Sequence, residues 1–232
     1  LQHCTAMSKS FVVIDSRVSG YTSLITSFAS DTNYVVLDST CDGLVQIVEA
    51  LAGKNAYRSI QIYSHGAPGT LTLGSTILST ATLAYYKTEL AVLGSALLPT
   101  GDILLYGCNV GAGEEGLAFI DTLAELTGAD VAASDDLTGS AALGGDWELE
   151  VKSGVVESNI QTFNFNGTLD SGNTILGSIF EDYIDADAWG IANNAASNND
   201  SIYGDQSNDT IDGGLGDDTA KYDQSYTNYT IT

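Results

Sequence analysis

Five short apolar runs punctuate the first two-thirds of the chain, and every interval between them carries apolar residues at helical spacing. FVVID (11–15), NYVVLD (33–38), SIQIYSHG (59–66), DILLYGCNVG (102–111) and DVAAS (130–134) are largely unbroken by charge and rich in β-branched residues. That composition reads as strands buried on both faces. The first interval places Tyr21, Leu24, Ile25 and Phe28 on one face of a helix over 20–29. In the second, Asp42 is an N-cap for a helix carrying Leu44, Ile47, Val48 and Leu51 and stopping at Gly53. LTLGSTILS (71–79) reads as a hairpin, followed by helices over 81–93 and 114–126, the latter capped by Gly128. Residues 147–151 and 155–156 read as closing strands. Strands alternating with helices predict βαβ units, hence an α/β fold with a mostly parallel sheet and helices on both faces.

In such sheets ligands bind at the carboxyl ends of the strands. Here those ends carry Asp15, Asp38, His65, Cys108 and Asp135. Core packing gives no reason for polar groups to gather there. A cysteine becomes a nucleophile when its thiolate is stabilised, commonly by an imidazole. Adjacent strands lie about 4.8 Å apart, so His65 and Cys108 on consecutive strands can address one substrate. Gly66 and Gly107 leave room for a peptide, and the N–H groups of Gly66 and Cys108 are candidates for an oxyanion hole. The same residues also fit a buried structural cysteine beside a hydrogen-bonded core histidine.

The pattern changes past residue 192. Asp200, Asp209 and Asp218 are nine apart, as are Gly204 and Gly213, and Ile202, Ile211 and Ala220 keep the same register. This is the G-G-x-G-x-D-x-U-x nonapeptide, cleanest in GGLGDDTAK (213–221). Glycines permit tight turns, aspartates and turn carbonyls ligate a hard cation, and the apolar residue fills a thin core. Asp200, Gly204, Asp205, Asp209, Gly213, Gly214, Gly216 and Asp218 are the expected calcium (Ca2+) set of a short parallel β-roll. The alternative is an acidic, glycine-rich linker. The expected organisation is an extension (1–10), an α/β domain (11–166), a linker with a degenerate repeat (167–192) and the repeats (193–232). KYDQSYTNYTIT resumes strand-like alternation, so a longer natural chain is expected.

Charge narrows the partners. Seven Lys and Arg stand against 30 Asp and Glu, a net charge of −23. Such a chain is not built for nucleic acid or an anionic membrane, and it accommodates cations. Residues 1–169 hold 18 of the acids and 6 of the bases, whereas 170–232 hold 12 and 1, a shift that places a boundary near 167–172. Three cysteines (Cys4, Cys41 and Cys108) do not make a disulfide framework. No apolar stretch of about 18 residues offers a membrane span. The first ten residues, with Met7 an expected start, lack the regions of a secretory signal.

YSHG and LLYGCNVG, in this order on this strand pattern, resemble the caspase-like cysteine peptidases: caspases, metacaspases, gingipains, separase and the self-cleaving domain of large bacterial toxins. FVVIDS, VVLDSTCDGLVQI, IYSHGAPGTLTLG, FIDTLAELTGADVAASDDLTG and LGGDWELE further resemble a caspase-like domain found near the amino terminus of very large bacterial surface and adhesin-type proteins. The resemblance implies Cys108 as nucleophile and His65 as general acid/base. It also implies Asp135 and Asp136 as acids that serve either calcium activation or a pocket for an arginine or lysine side chain, with Asp15 placed to line the same pocket; the alternative for the pair is an exposed turn. Tyr106-Gly107 precedes Cys108 where that group has an acidic or small pair. The tail resembles the calcium-binding repeats of proteins secreted by the type I route, which implies export without an amino-terminal signal to the cell surface or medium. The expected function is a caspase-like, calcium-linked cysteine endopeptidase that processes itself or a neighbouring surface protein, with Lys9, Arg17, Lys152 and Lys221 as candidate sites and a homo-oligomer or fibre as its assembly. The alternative is an inactive module of a surface layer, fibre or adhesin rigidified by calcium.

Overall fold

A computed structural model describes residues 9–30, 32–158, 165 and 167–169, together with five short strands further along. In chain order the first part holds β1 Ser10–Asp15, α1 Tyr21–Ser27, β2 Asn33–Leu37, α2 Gly43–Leu51, β3 Tyr57–Tyr63, β4 Gly66–Ala67, β5 Thr70–Leu73, β6 Thr76–Ser79, a 3-10 turn Leu83–Tyr86, α3 Lys87–Ala96, β7 Leu97–Tyr106, α4 Gly113–Thr127, β8 Asp130–Ala133 and β9 Val151–Ser153. The sheet order is β2-β1-β3-β7-β8-β9, parallel throughout except for β9, which runs antiparallel to β8. The fold is therefore α/β with a mostly parallel six-stranded sheet, as the alternation of strands and helices predicts.

Period-two alternation sends successive residues of each strand to opposite faces. Val35, Val13, Ile62, Leu105 and Ala133 lie in one register row across β2, β1, β3, β7 and β8. Their face packs against Leu44, Ile47 and Leu51 of α2, Leu90 and Leu93 of α3, and Phe119, Ile120 and Leu123 of α4. The other face carries Val12, Ile14, Tyr63, Leu104, Tyr106 and Ala132. Its cover is of a different kind. Among the described residues, only the seven-residue α1 contributes a buried helical side chain, Leu24; the rest of the cover is loop, from Val18, Leu137, Trp147, Leu149, Phe165 and Leu169. Helices thus lie on both faces, as expected, but very unevenly.

Local signals work as read in two helices. Asp42 Oδ1 accepts the Val45 N–H at 3.0 Å, capping α2. Gly128, at φ 70°, closes α4 in the left-handed region, with its N–H on Ala124 O at 2.8 Å. Three boundaries differ. The stretch expected as a helix over 81–93 starts as a 3-10 turn and continues to Ala96. β7 starts at Leu97, where it pairs with Tyr57 before an irregularity shifts the register to Ser59↔Asp102. Residues 147–150 and 155–156 are not strands, and β9 covers Val151–Ser153 alone. Trp147 and Leu149 pack into the second face as loop residues.

The chain divides into two compact units, residues 1–141 with 145–169, and residues 170–232 with 142–144. The break after Leu169 falls within the stretch where the charge changes. In the second unit, β10 Thr174–Leu176, β12 Ser201–Tyr203 and β14 Thr219–Lys221 form one parallel sheet, and β11 Tyr183–Asp185 pairs in parallel with β13 Thr210–Asp212. Two of these strands occupy the stretch expected as linker. The calcium set, Asp200, Gly204, Asp205, Asp209, Gly213, Gly214, Gly216 and Asp218, lies outside the described residues.

Gly94 of α3 faces the end of α4, where a Cβ would lie 1.8 Å from Thr127 O. Alanine in a helix interior normally stabilises by up to about 1 kcal/mol over glycine. Here overpacking prevails, and Gly94→Ala is expected to lower stability by about 1–3 kcal/mol in denaturant unfolding.

Candidate functional site

The last register pair of the two central strands is Tyr63↔Tyr106, and the Ser64 N–H extends the ladder to Tyr106 O at 3.1 Å. Beyond it the tips stay close because two residues lack a side chain. A Cβ on Gly66 would lie 2.3 Å from Val110 Cγ2 and 2.9 Å from Cys108 O, and one on Gly107 would lie 3.0 Å from Ser64 O. Gly66 is therefore first a packing requirement. Asn109 follows at φ 61°, a left-handed conformation that asparagine tolerates better than most residues, with its N–H held by Asp136 O at 2.8 Å. Below the tips, Tyr63 and Tyr106 stack at 4.6 Å with planes 2° apart, and Trp147 meets both at 6.3 and 6.0 Å. Burial, and then the neighbouring Tyr106, push the Tyr63 hydroxyl well above its usual range.

Cys108 is fully buried in this aromatic cluster. Its Sγ accepts the Thr138 N–H at 3.3 Å. His65, half-buried, has both ring nitrogens against backbone carbonyls: Nδ1 is 2.8 Å from Leu169 O and Nε2 is 3.1 Å from Arg17 O. A neutral imidazole has one N–H and donates to only one of them. The Leu169 N–H in turn donates to Thr138 O at 2.9 Å, and Thr168 bridges Gly139 in antiparallel fashion. The ring and the thiol expected to form a dyad are thus brought to the same end of the sheet. Their hydrogen bonds run through two backbone units, His65–Leu169–Thr138–Cys108, and neither ring nitrogen is turned to Sγ.

The three expected recognition acids separate. Asp15 is fully buried and its carboxylate is saturated from within: Arg17 N, Nε and Nη2 donate at 2.9, 3.0 and 3.1 Å, and Gly74 N donates at 2.7 Å. Arg17 Nη2 also donates to Gly74 O. Burial pushes the Asp15 carboxyl up, but these bonds and the guanidinium charge hold it below its usual range. Asp15 therefore does not receive a substrate side chain. It shapes the loop whose Arg17 carbonyl meets His65. Asp135 and Asp136 are exposed, and the structure adds Glu150: carboxylate oxygens of the three lie within 4.8 Å of one another. Glu150 Oε2 accepts the Asp135 N–H at 3.2 Å, and Ser134 Oγ donates to Asp136 O at 3.1 Å. Burial and then the Asp146 charge raise the Asp136 carboxyl, while burial and the Asp136 and Asp135 charges raise that of Glu150. Asp38, at another strand end, caps its own turn through Thr40 and joins neither group.

Arg17, Thr138, Glu150 and Leu169 were not legible from sequence. Three of them act through main-chain atoms, which leave no signature in residue identity, and Glu150 meets Asp135 only through the β8–β9 pairing. The family described as Domain of unknown function (DUF4347) matches residues 11–168, from β1 to the residue before Leu169, and the chain belongs to it. No curated protein and no solved structure matches.

The raised carboxyls have a sign. In the folded state Asp136 and Glu150 hold protons that the unfolded chain has already lost, so their contribution makes stability fall as pH rises through that interval. Asp136→Asn is expected to raise stability at pH 7, read in thermal unfolding, by no more than about 1 kcal/mol for such exposed groups. The gain should vanish below the unfolded carboxyl range, near pH 3.5 or so, where both states of the wild type are protonated.

Proposed function

We propose that the α/β domain is a caspase-like cysteine endopeptidase held closed by its own chain, with Cys108 as nucleophile and His65 as general acid/base. The observation that carries this reading is the hydrogen-bonded path from His65 through Leu169 and Thr138 to Cys108 at the carboxyl ends of β3 and β7. Thr168 bridges Gly139 in antiparallel fashion, and the carbonyl of the next residue, Leu169, meets the histidine. Backbone pairing of this kind is one way in which a peptide is recognised.

Withdrawal of 167–169 frees Nδ1 and the space beside Sγ. His65 then takes the thiol proton while Sγ adds to the scissile carbonyl carbon, and the oxyanion is received by the N–H groups of Cys108 and Gly66. The C–N bond breaks as the imidazolium returns its proton to the leaving amine. Water hydrolyses the thioester, giving its proton through His65 back to sulfur. The Asp135, Asp136 and Glu150 carboxylates supply the charge to receive an arginine or lysine side chain.

The substrate is a peptide segment of the same polypeptide or of a neighbouring surface protein. The second unit extends the reading to a secreted or surface-attached protein. Its strands begin at Thr174, Tyr183, Ser201, Thr210 and Thr219, nine residues or twice nine apart, and alternate between two parallel sheets. A calcium-filled roll of nonapeptides has that spacing.

One observation favours the alternative, an inactive assembly module: Cys108 is fully buried among Tyr63, Tyr106, Trp147 and Leu169. A thiol-directed peptide probe separates the two. Phe165, 4% exposed with its ring 6.0 Å from Trp147, anchors the covering segment. Phe165→Ala removes an anchor worth about 3–5 kcal/mol, so labelling of Cys108 should accelerate at least tenfold while circular dichroism keeps the folded spectrum. In the full chain with millimolar calcium, fragments should form that are absent from Cys108→Ala. If neither the wild type nor Phe165→Ala labels, the peptidase reading falls and the assembly module stands.

A further inference from the structure

The opposite end of the sheet holds a second group of acids that the proposed peptidase does not use. Asp102 of β7 and Asp130 of β8 are register partners near the start of their pairing, and Glu157 follows β9, the next strand. Carboxylate oxygens of the three lie within 4.8 Å of one another. Asp102 is fully buried, Asp130 half-buried and Glu157 exposed. Asp102 Oδ2 accepts the Ser158 N–H at 2.7 Å. Asp102 Oδ1 is buried and accepts no hydrogen bond among the described residues.

That last atom is the anomaly. A buried carboxylate oxygen with no partner costs several kcal/mol, and two further carboxylates beside it add repulsion. No Lys or Arg relieves it: among the described residues the ion pair is Arg17 with Asp15, at the other end of the sheet. The backbone is nevertheless shaped to hold the acids together. Gly154, at φ 94°, passes so close to Asp130 that a Cβ would lie 1.7 Å from its Oδ1. The Ser158 N–H fixes Asp102, and Ser158 Oγ donates to Arg58 O at 3.3 Å, pinning the segment that bears Glu157.

We propose that Asp102, Asp130 and Glu157 form a binding site for a hard divalent cation of the calcium class, separate from the nonapeptide repeats. Among the described residues, oxygen is the only donor offered, which selects calcium or magnesium over zinc and copper. Calcium sits about 2.3–2.6 Å from its ligands, so two oxygens on one ion lie up to about 5 Å apart. The three carboxylates meet that span, and water completes the shell on the exposed Glu157 side. The ion gives Asp102 Oδ1 its missing partner and cross-links β7, β8 and the chain leaving β9.

The site is tested in the full-length protein by calcium titration, followed through calorimetric stoichiometry and the backbone amide resonances of Gly154 and Ser158. Dissociation constants of extracellular calcium modules, about 10⁻⁴–10⁻³ M, set the range. The wild type should bind one more ion than Asp102→Asn or Asp130→Asn, and both amides should shift with that event. The exposed Glu157→Gln, which leaves the core untouched, should weaken the site about tenfold or more. A repeat variant, Asp209→Asn with Asp218→Asn, should keep the Gly154 and Ser158 response. Amides unmoved by calcium, or unchanged stoichiometry in all three single variants, overturn the site. Saturation by magnesium at lower concentrations than calcium overturns the choice of ion. None of these readouts depends on whether Cys108 is a nucleophile.

Discussion

Between Ser59 and Tyr106, β3 and β7 run parallel and in register through the middle of the sheet, and their tips continue side by side only because Gly66 and Gly107 carry no Cβ. A side chain at Gly66 would meet Val110 and the Cys108 carbonyl at distances that real Cβ atoms do not reach. That close approach sets the positions of His65 and Cys108, of the strained Asn109 turn, and of the Asp136 carbonyl that receives it. The loops that bear the acids and the segment that covers the thiol are arranged around this pair of strand ends.

The two faces of the sheet make different use of burial. One is sealed by α2, α3 and α4, whose apolar stripes interlock with the register row from Val35 to Ala133. Opening that face would break three helix contacts at once. The other is sealed by aromatic rings and loops, with Trp147 at 6.0 Å from both Tyr106 and Phe165. Loop segments held by a few side chains and backbone bonds open locally at lower free energy than packed helices. The candidate thiol lies on the second face. Burial there fits the proposed catalysis through local opening of the loop cover, with the sheet kept intact.

Much of this order was legible. Unbroken apolar runs identify central parallel strands, and the positions of His65 and Cys108 at their ends follow from the strand limits alone. Asp42 and Gly128 announce helix ends because capping is local chemistry. What escaped is non-local or carried by the main chain. Asp15 read as a recognition acid, but Arg17, two residues on, wraps its guanidinium around it. Trp147 and Leu149 alternate like a strand, yet they satisfy burial as loop residues, and alternation alone does not distinguish the two. Leu169 lies 104 residues from the histidine it meets, and only its carbonyl takes part. Asp102 is the first residue of the run DILLYGCNVG; its unpartnered oxygen appears only when β8 and the chain after β9 close around it.

The charge balance joins these sites. With 30 acids and seven bases, most carboxylates have no basic partner available within the chain. Asp15 shows the internal solution, a buried acid saturated by arginine and a backbone N–H. Asp135, Asp136 and Glu150 show the solvated one: they stay exposed and leave their charge open to a cationic side chain, with the Asp136 and Glu150 carboxyls raised first by burial. Asp102 has neither arginine nor full access to water. Bringing it beside Asp130 and Glu157 raises the energy of the empty domain, and a cation lowers it most where the unpaired charge is deepest. With such a group at the start of β7 and β8, the strands that lead to Cys108 and to the Asp135 loop are tied together by an external ion, while the histidine strand β3 is held by its ladders to β1 and β7.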